Sequence, residues 1–191
     1  LRRTAVLALA LSAVLLVTVP ASASPAGASG TAPGAVYADT GLRNGGRSGG
    51  GWEPAPSAPW NMPAGARCDF AVHGEAVVDE VVQRVLQTHP DGSPKLVAYQ
   101  GALVVRVTNI ATGAYHDADA GGAALVEYRL DGSQFWHVLG PVLVGFAPHK
   151  GNMPRGLYIV DGAYVIDIGA DGYKRVEIAQ ATTTDLCALV D

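Results

Sequence analysis

The chain has 191 residues, with 17 acidic against 13 basic side chains and a net charge of −4. No basic stripe is present, and no glycine-rich loop runs into Lys and Ser or Thr, which excludes nucleic-acid binding and the phosphate-cradling loop of nucleotide enzymes. Cys68 and Cys187 are its only cysteines.

The first element reads as a secretory signal. Arg2 and Arg3 precede an apolar run from Ala5 to Val19, and Ala21-Ser22-Ala23 supplies the small residues of a cleavage site. That run, about 15 residues, is short of the roughly 20 that a spanning helix needs. Residues 1–23 are therefore expected to be removed on export, leaving no membrane span. An oxidising exterior favours pairing of two lone cysteines, so Cys68 and Cys187 are expected to form a disulfide. A bridge across 119 residues contributes about 4 to 5 kcal/mol by loop-closure entropy.

Residues 24–65 are rich in Gly and Pro and poor in large aliphatic side chains, so they read as a flexible arm that cannot offset its own ordering entropy. Within it, Gly46 to Gly50, "GRSGG", matches the G-x-S-x-G pattern of nucleophile elbows. The neighbours, "LRNG" and "GWEP", supply neither the strand before nor the helix after, and the match is treated as chance. Trp52 and Trp60 flank a Pro-rich run, and the alternative to a free arm is a tryptophan folded back over an apolar surface.

Residues 66–191 suit one domain. Turn chemistry recurs along them: His89 to Pro94 ("HPDGSP"), Ile110 to Tyr115 ("IATGAY"), Asp131-Gly132, Asp161-Gly162, and Gly169 to Gly172. Between these turns Leu103, Val105 and Val107 alternate with Val104, Arg106 and Thr108. Tyr164, Ile166 and Ile168, and then Val176 and Ile178, repeat the period of two. Residues 76–89 are ambiguous, because Val77, Val78, Val81, Val82, Val85 and Leu86 sit at helical spacing while β-branched valine favours a strand. The expected class is all-β, an antiparallel meander closed into a small β-barrel, with a β-sandwich as the alternative. At the end, Thr183 or Thr184 is expected to cap a short helical turn.

The segments "CDFAVHGE", "VVRVTNIATG", "GGAALVEYRLDGS", "GLYIVDGAYVIDIG" and "DLCALVD" give residues 67–191 a resemblance to a family of small secreted actinobacterial proteins of unknown function. Members have a Cys-Gly-Phe-Pro-like start, a VTNxxTG turn and an Asp-x-Cys-Ala-Leu end. Here Asp69 and Ala71 stand where the family has Gly and Pro, which puts the first turn in doubt. The resemblance implies strand for residues 76–89 and brings no catalytic residues.

The five histidines, His73, His89, His116, His137 and His149, form no H-x-H or HExxH spacing. His73 and Glu75 share a strand face and read as a solvated pair. "HDADAGG", His116 to Gly122, reads as a polar turn rather than a calcium loop. No metal or cofactor is expected. His137 alternates with Phe135 and Leu139; if these point inward, it lines an apolar interior together with Tyr128, Tyr158 and Tyr164, a composition suited to a ligand pocket. If Trp136 points inward instead, His137 is a surface residue. The expected function is a secreted, non-catalytic β-domain that binds a small apolar ligand or a cell-envelope protein. The alternatives are a cofactor-free isomerase or cyclase with His137 as its acid or base, and a structural or adhesive envelope protein.

Overall fold

Alternation of apolar and polar side chains carries most of the chain into strands. The computed structural model describes residues 51–191; the expected signal, the "GRSGG" match and most of the expected arm lie outside them. In chain order the strands are β1 (Glu53–Pro54), β2 (Trp60–Met62), β3 (Val72–Asp79), β4 (Val82–Thr88), β5 (Pro94–Gln100) and β6 (Leu103–Asn109). They continue as β7 (Tyr115–Asp119), β8 (Ala123–Tyr128), β9 (Gln134–Leu139), β10 (Val142–Phe146), β11 (Gly156–Ile168) and β12 (Lys174–Asp185), followed by helix α1 (Leu186–Leu189). The larger sheet has eight strands in the order β1-β4-β5-β8-β9-β11-β10, with β12 also on β11, and the smaller has four, β2-β3-β6-β7. All of the strand pairs are antiparallel.

The antiparallel all-β class is present, but not as a simple meander: β9 pairs β11, and β3 pairs β6 and β5 pairs β8 because the chain passes from one sheet to the other at β1–β2, β3–β4, β5–β6 and β7–β8. Tight corners make this passage feasible. At Gly101, φ is +135° and a Cβ would lie 2.1 Å from the Glu80 carbonyl oxygen, so only glycine fits between the sheets there. The described strands do not close a hydrogen-bonded barrel, because β7 pairs only with β6 and β10 only with β11. Both sheets nonetheless feed one core. Val72, Val105, Val107 and Ala118 come from the smaller sheet, and Val126, Val144, Phe146, Val160 and Ile166 from the larger.

The C-terminus joins them. Cys68 and Cys187 are bridged, with Cα atoms 5.4 Å apart, and Leu186 and Val190 are fully buried. The Asn109 amide, buried at the end of β6, donates from Nδ2 to the Val190 carbonyl at 3.1 Å while its Oδ1 accepts from the Ala111 N–H. The helix cap is Asp185, whose carboxylate accepts from the Cys187 N–H at 2.9 Å, and not Thr183 or Thr184, which continue β12.

Three of the expected turns share one construction. His89 N–H, Arg129 N–H and Gly169 N–H donate to the carbonyls of Ser93, Ser133 and Tyr173, and Gly92, Gly132 and Gly172 take positive φ. The carboxylates of Asp91, Asp131 and Asp171 accept the N–H two residues on. Hydrogen bonds from Ser93, Ser133 and Tyr173 hold them below the usual carboxylate range. The turn at residues 110–115 is present as well.

Asp161-Gly162 is not a turn. It lies inside β11, where one edge of that strand changes partner from β10 to β9. Gly162 has φ +143° and its carbonyl accepts from Gly140 N–H at 2.9 Å, so the composition that suits a hairpin here serves a bend within a strand. Residues 76–89 hold the end of β3 and all of β4, with a corner between the sheets at residues 80–81, and the helical spacing has a physical source. Register shifts between Ala76 and Val78 and between Val85 and Gln87 leave Val77 and Leu86 as bulged, exposed extra apolar positions, while Val78, paired with Val104, is also exposed. Ile178 departs from the expected buried face: it is exposed, whereas Val176, two residues before it on β12, is buried.

The arm boundary also shifts. Glu53–Pro54 (β1) pairs with β4 and Trp60–Met62 (β2) with β3. The Trp60 indole covers Gly74 so closely that a Cβ there would fall 2.1 Å from Cζ2, and Ala55 is buried. The folded-back tryptophan is thus what forms, and the arm does not extend to residue 65.

Candidate binding face

The four residues expected around an interior pocket are not brought together. Tyr128 is partly buried, and its hydroxyl meets that of Tyr99 at 2.7 Å. Burial pushes the Tyr99 hydroxyl pKa well up, and its hydrogen bond with Tyr128 adds to the shift; burial raises Tyr128 as well. Tyr164 is buried and donates to the Val160 carbonyl at 3.0 Å, also with a raised pKa from burial. Tyr158 packs edge-on against Phe146, ring centroids 6.0 Å apart. The interior hydroxyls of Tyr99, Tyr128 and Tyr164 thereby satisfy one another or the backbone.

His137 is on the other side of the sheet. Val138 is buried and Trp136 packs against the core, so the period of two turns Phe135, His137 and Leu139 outward. This corrects the inward placement of His137. Its ring stands edge-on to Phe135 with centroids 5.0 Å apart, and Leu139 is 52% exposed.

Cross-strand register assembles a row around it. Arg84 lies opposite Ala98, Ala98 opposite Leu125, Leu125 opposite His137, His137 opposite Val165, and Val165 opposite Glu177. Six strands thus contribute a line with an apolar middle and opposite charges at its ends. On one side runs Ala123–Leu139–Ala163, and on the other Glu127–Phe135–Asp167. Arg129 stretches over the Phe135 ring at 5.7 Å, with Glu127 at 3.8 Å and Asp167 at 3.6 Å, forming a charged rim.

The smaller sheet presents a different outer face. Glu75, Arg106 and Asp117 lie side by side on β3, β6 and β7. Arg106 donates twice to Asp117, both at 2.7 Å, and its guanidinium lies 4.3 Å from the Tyr115 ring centroid. That pairing lowers the Asp117 pKa and raises that of Arg106. His73 contacts Asn61 at 3.0 Å and Glu75 at 3.9 Å. His116 and Asp117 are strand residues, and Asp119 accepts from Gly121 N–H. Among the described residues no three His, Cys, Asp or Glu side chains are grouped to hold a metal ion.

No family model, no curated protein and no solved structure matches the chain significantly. Among the described residues no helix is long and apolar enough to cross a membrane. Sequence reasoning singled out His137 but missed the Leu125–Val165 row. The alternation in "AALVEY" and "AYVIDI" that marks both residues as facing away from the core is the signal for it.

Proposed function

We propose that the chain is an exported domain that works by binding a cell-envelope protein through the outer face of its larger sheet, with His137 at the centre. The observation that carries this reading is the position of His137 between Leu125 and Val165, rimmed by Arg129, Glu127 and Asp167. An apolar centre with a charged rim is the composition of a protein-recognition surface. The disulfide is compatible with export. An interior cyclase or isomerase site is disfavoured, since it required His137 inside. A photo-crosslinking residue at position 137 of the full chain, exposed to envelope extract, should give a discrete adduct that Leu139→Asp removes. The same crosslinker at Asp117, on the smaller sheet, should give none. Equal adduct patterns from both positions would sink the proposal.

A further inference from the structure

A second feature lies away from that face, where two cations from opposite ends of the domain meet at one glycine. Arg67 immediately precedes the bridged Cys68, and its side chain crosses Gly145 of β10. Arg67 Nε lies 2.9 Å from where a Gly145 Cβ would stand, and Arg67 Cδ 3.4 Å away. Lys174, the first residue of β12, is fixed through its backbone: its N–H donates to Lys150 O at 3.0 Å and its carbonyl accepts from Asn152 N–H at 3.1 Å. Its Nζ donates to the Gly145 carbonyl at 3.1 Å. Arg67 Nη1 donates to its neighbour, the Ala66 carbonyl, at 2.8 Å.

Among the described residues each cation therefore has a single backbone acceptor, and most of its donors have none. The neighbouring acids are committed elsewhere, Asp69 to Arg155 and Asp171 to Lys150. No described carboxylate lies within 4.0 Å of either head. Both groups are partly withdrawn from water. Burial lowers both pKa values, and the Arg67 charge lowers that of Lys174 further. Two like charges held together without a counter-ion oppose folding, in a chain whose net charge is −4.

We infer that Arg67 and Lys174 form a binding site at Gly145 for a phosphate dianion, either inorganic phosphate or a phosphate monoester. The charges decide the class: a monoester carries nearly two negative charges at neutral pH, which match the two cations, whereas a carboxylate neutralises only one. The guanidinium supplies a planar fork for two oxygens and the ammonium a point charge for the third. This site uses side chains and needs no glycine-rich loop.

Titration of the isotopically labelled full chain with inorganic phosphate at pH 7.5, against sodium chloride of equal ionic strength, tests it by amide and Arg Nε–H shifts. Saturable shifts are expected at Arg67, Gly145 and Lys174, with acetate at least tenfold weaker. Lys174→Met should weaken phosphate at least tenfold, while Lys174→Arg retains binding. Gly145→Ala, which removes no charge but pushes Arg67 aside, should also weaken it, and keeps the test valid if Lys174→Met fails to fold. Phenyl phosphate binding as tightly as free phosphate assigns the site to attached phosphate groups; much weaker binding assigns it to the free ion. Shifts that do not saturate, that chloride reproduces, or that persist unchanged in Lys174→Met and Gly145→Ala would overturn the inference.

Discussion

The outer faces of the two sheets are built on the same alternation but leave their side chains in opposite conditions. On the smaller sheet Arg106 finds Asp117 twice and Tyr115 beneath it, so its charged row is satisfied within the fold. On the larger sheet the Leu125–His137–Val165 row has charge only at its margins. A self-paired polar face gains little from a partner, because contact must first strip its water. An apolar face gains from any partner that covers it. The difference is the ground on which we place the proposed recognition face on the larger sheet rather than the smaller one.

The two sheets are held together by a common seam, and breaking it has the largest expected effect. Cys68 and Cys187 with α1 and the Asn109–Val190 hydrogen bond are the ties at the C-terminal end. A Cys68→Ser, Cys187→Ser double variant should lose about 4 to 5 kcal/mol of unfolding free energy, from the entropy of a 119-residue loop. Amide exchange should quicken first in β6, β7 and α1, and later in β8, β9 and β11. Denaturation midpoints with and without reductant check the magnitude; a difference near zero would mean that packing of Leu186 and Val190 alone closes the seam.

How much of this was legible in the sequence depends on whether local pattern or long-range pairing decides the position. The alternating faces of β6 and β11 follow from residue type, as do the three Asp-Gly turns in which an aspartate accepts its own loop N–H. Asp131-Gly132 and Asp161-Gly162 are the same dipeptide with different fates. The first is free to turn because nothing crowds it. The second is held in a strand by β12 on one side and a change from β10 to β9 on the other, contacts that no local window contains. Local alternation turns Leu125 and Val165 away from the core, but their alignment with His137 depends on the register of six strands. His137 itself was ambiguous because Phe135 and Trp136 offer both faces of β9 a large apolar group.

That pair of glycines gives the next largest effect and separates the sheets. Gly162→Ala should cost about 2 kcal/mol, because a Cβ would fall 2.1 Å from the Gln180 carbonyl oxygen on a backbone with φ +143°. Gly132→Ala meets open space at φ +85° and should cost about 1 kcal/mol. The first variant should disturb amide shifts along β9, β11 and β12 and leave β3, β6 and β7 unchanged. If Gly132→Ala proves the more costly, the bend in β11 is not under steric constraint.

The smallest effects come from pH, which should act on the two sheets from opposite ends of the scale. Burial raises the Tyr99 and Tyr128 hydroxyls of the larger sheet above their ordinary value of 10.0, so the unfolded chain releases those protons first. Their contribution is intact below pH 10 and falls as pH climbs beyond it, with Tyr99→Phe flattening that alkaline limb. On the smaller sheet the Arg106 hydrogen bond holds Asp117 below its ordinary 3.8, so the folded state binds that proton less readily than the unfolded one. Its contribution is present above pH 3.8 and is lost as pH falls through the depressed value, with Asp117→Asn flattening the acid limb. Because the Arg106–Asp117 pair is exposed, its effect should also shrink as salt is added, whereas the tyrosine limb should be insensitive to salt. Unfolding midpoints across pH in low and high salt check both, and an acid limb unchanged by Asp117→Asn would show that the charged row of the smaller sheet contributes nothing to its stability.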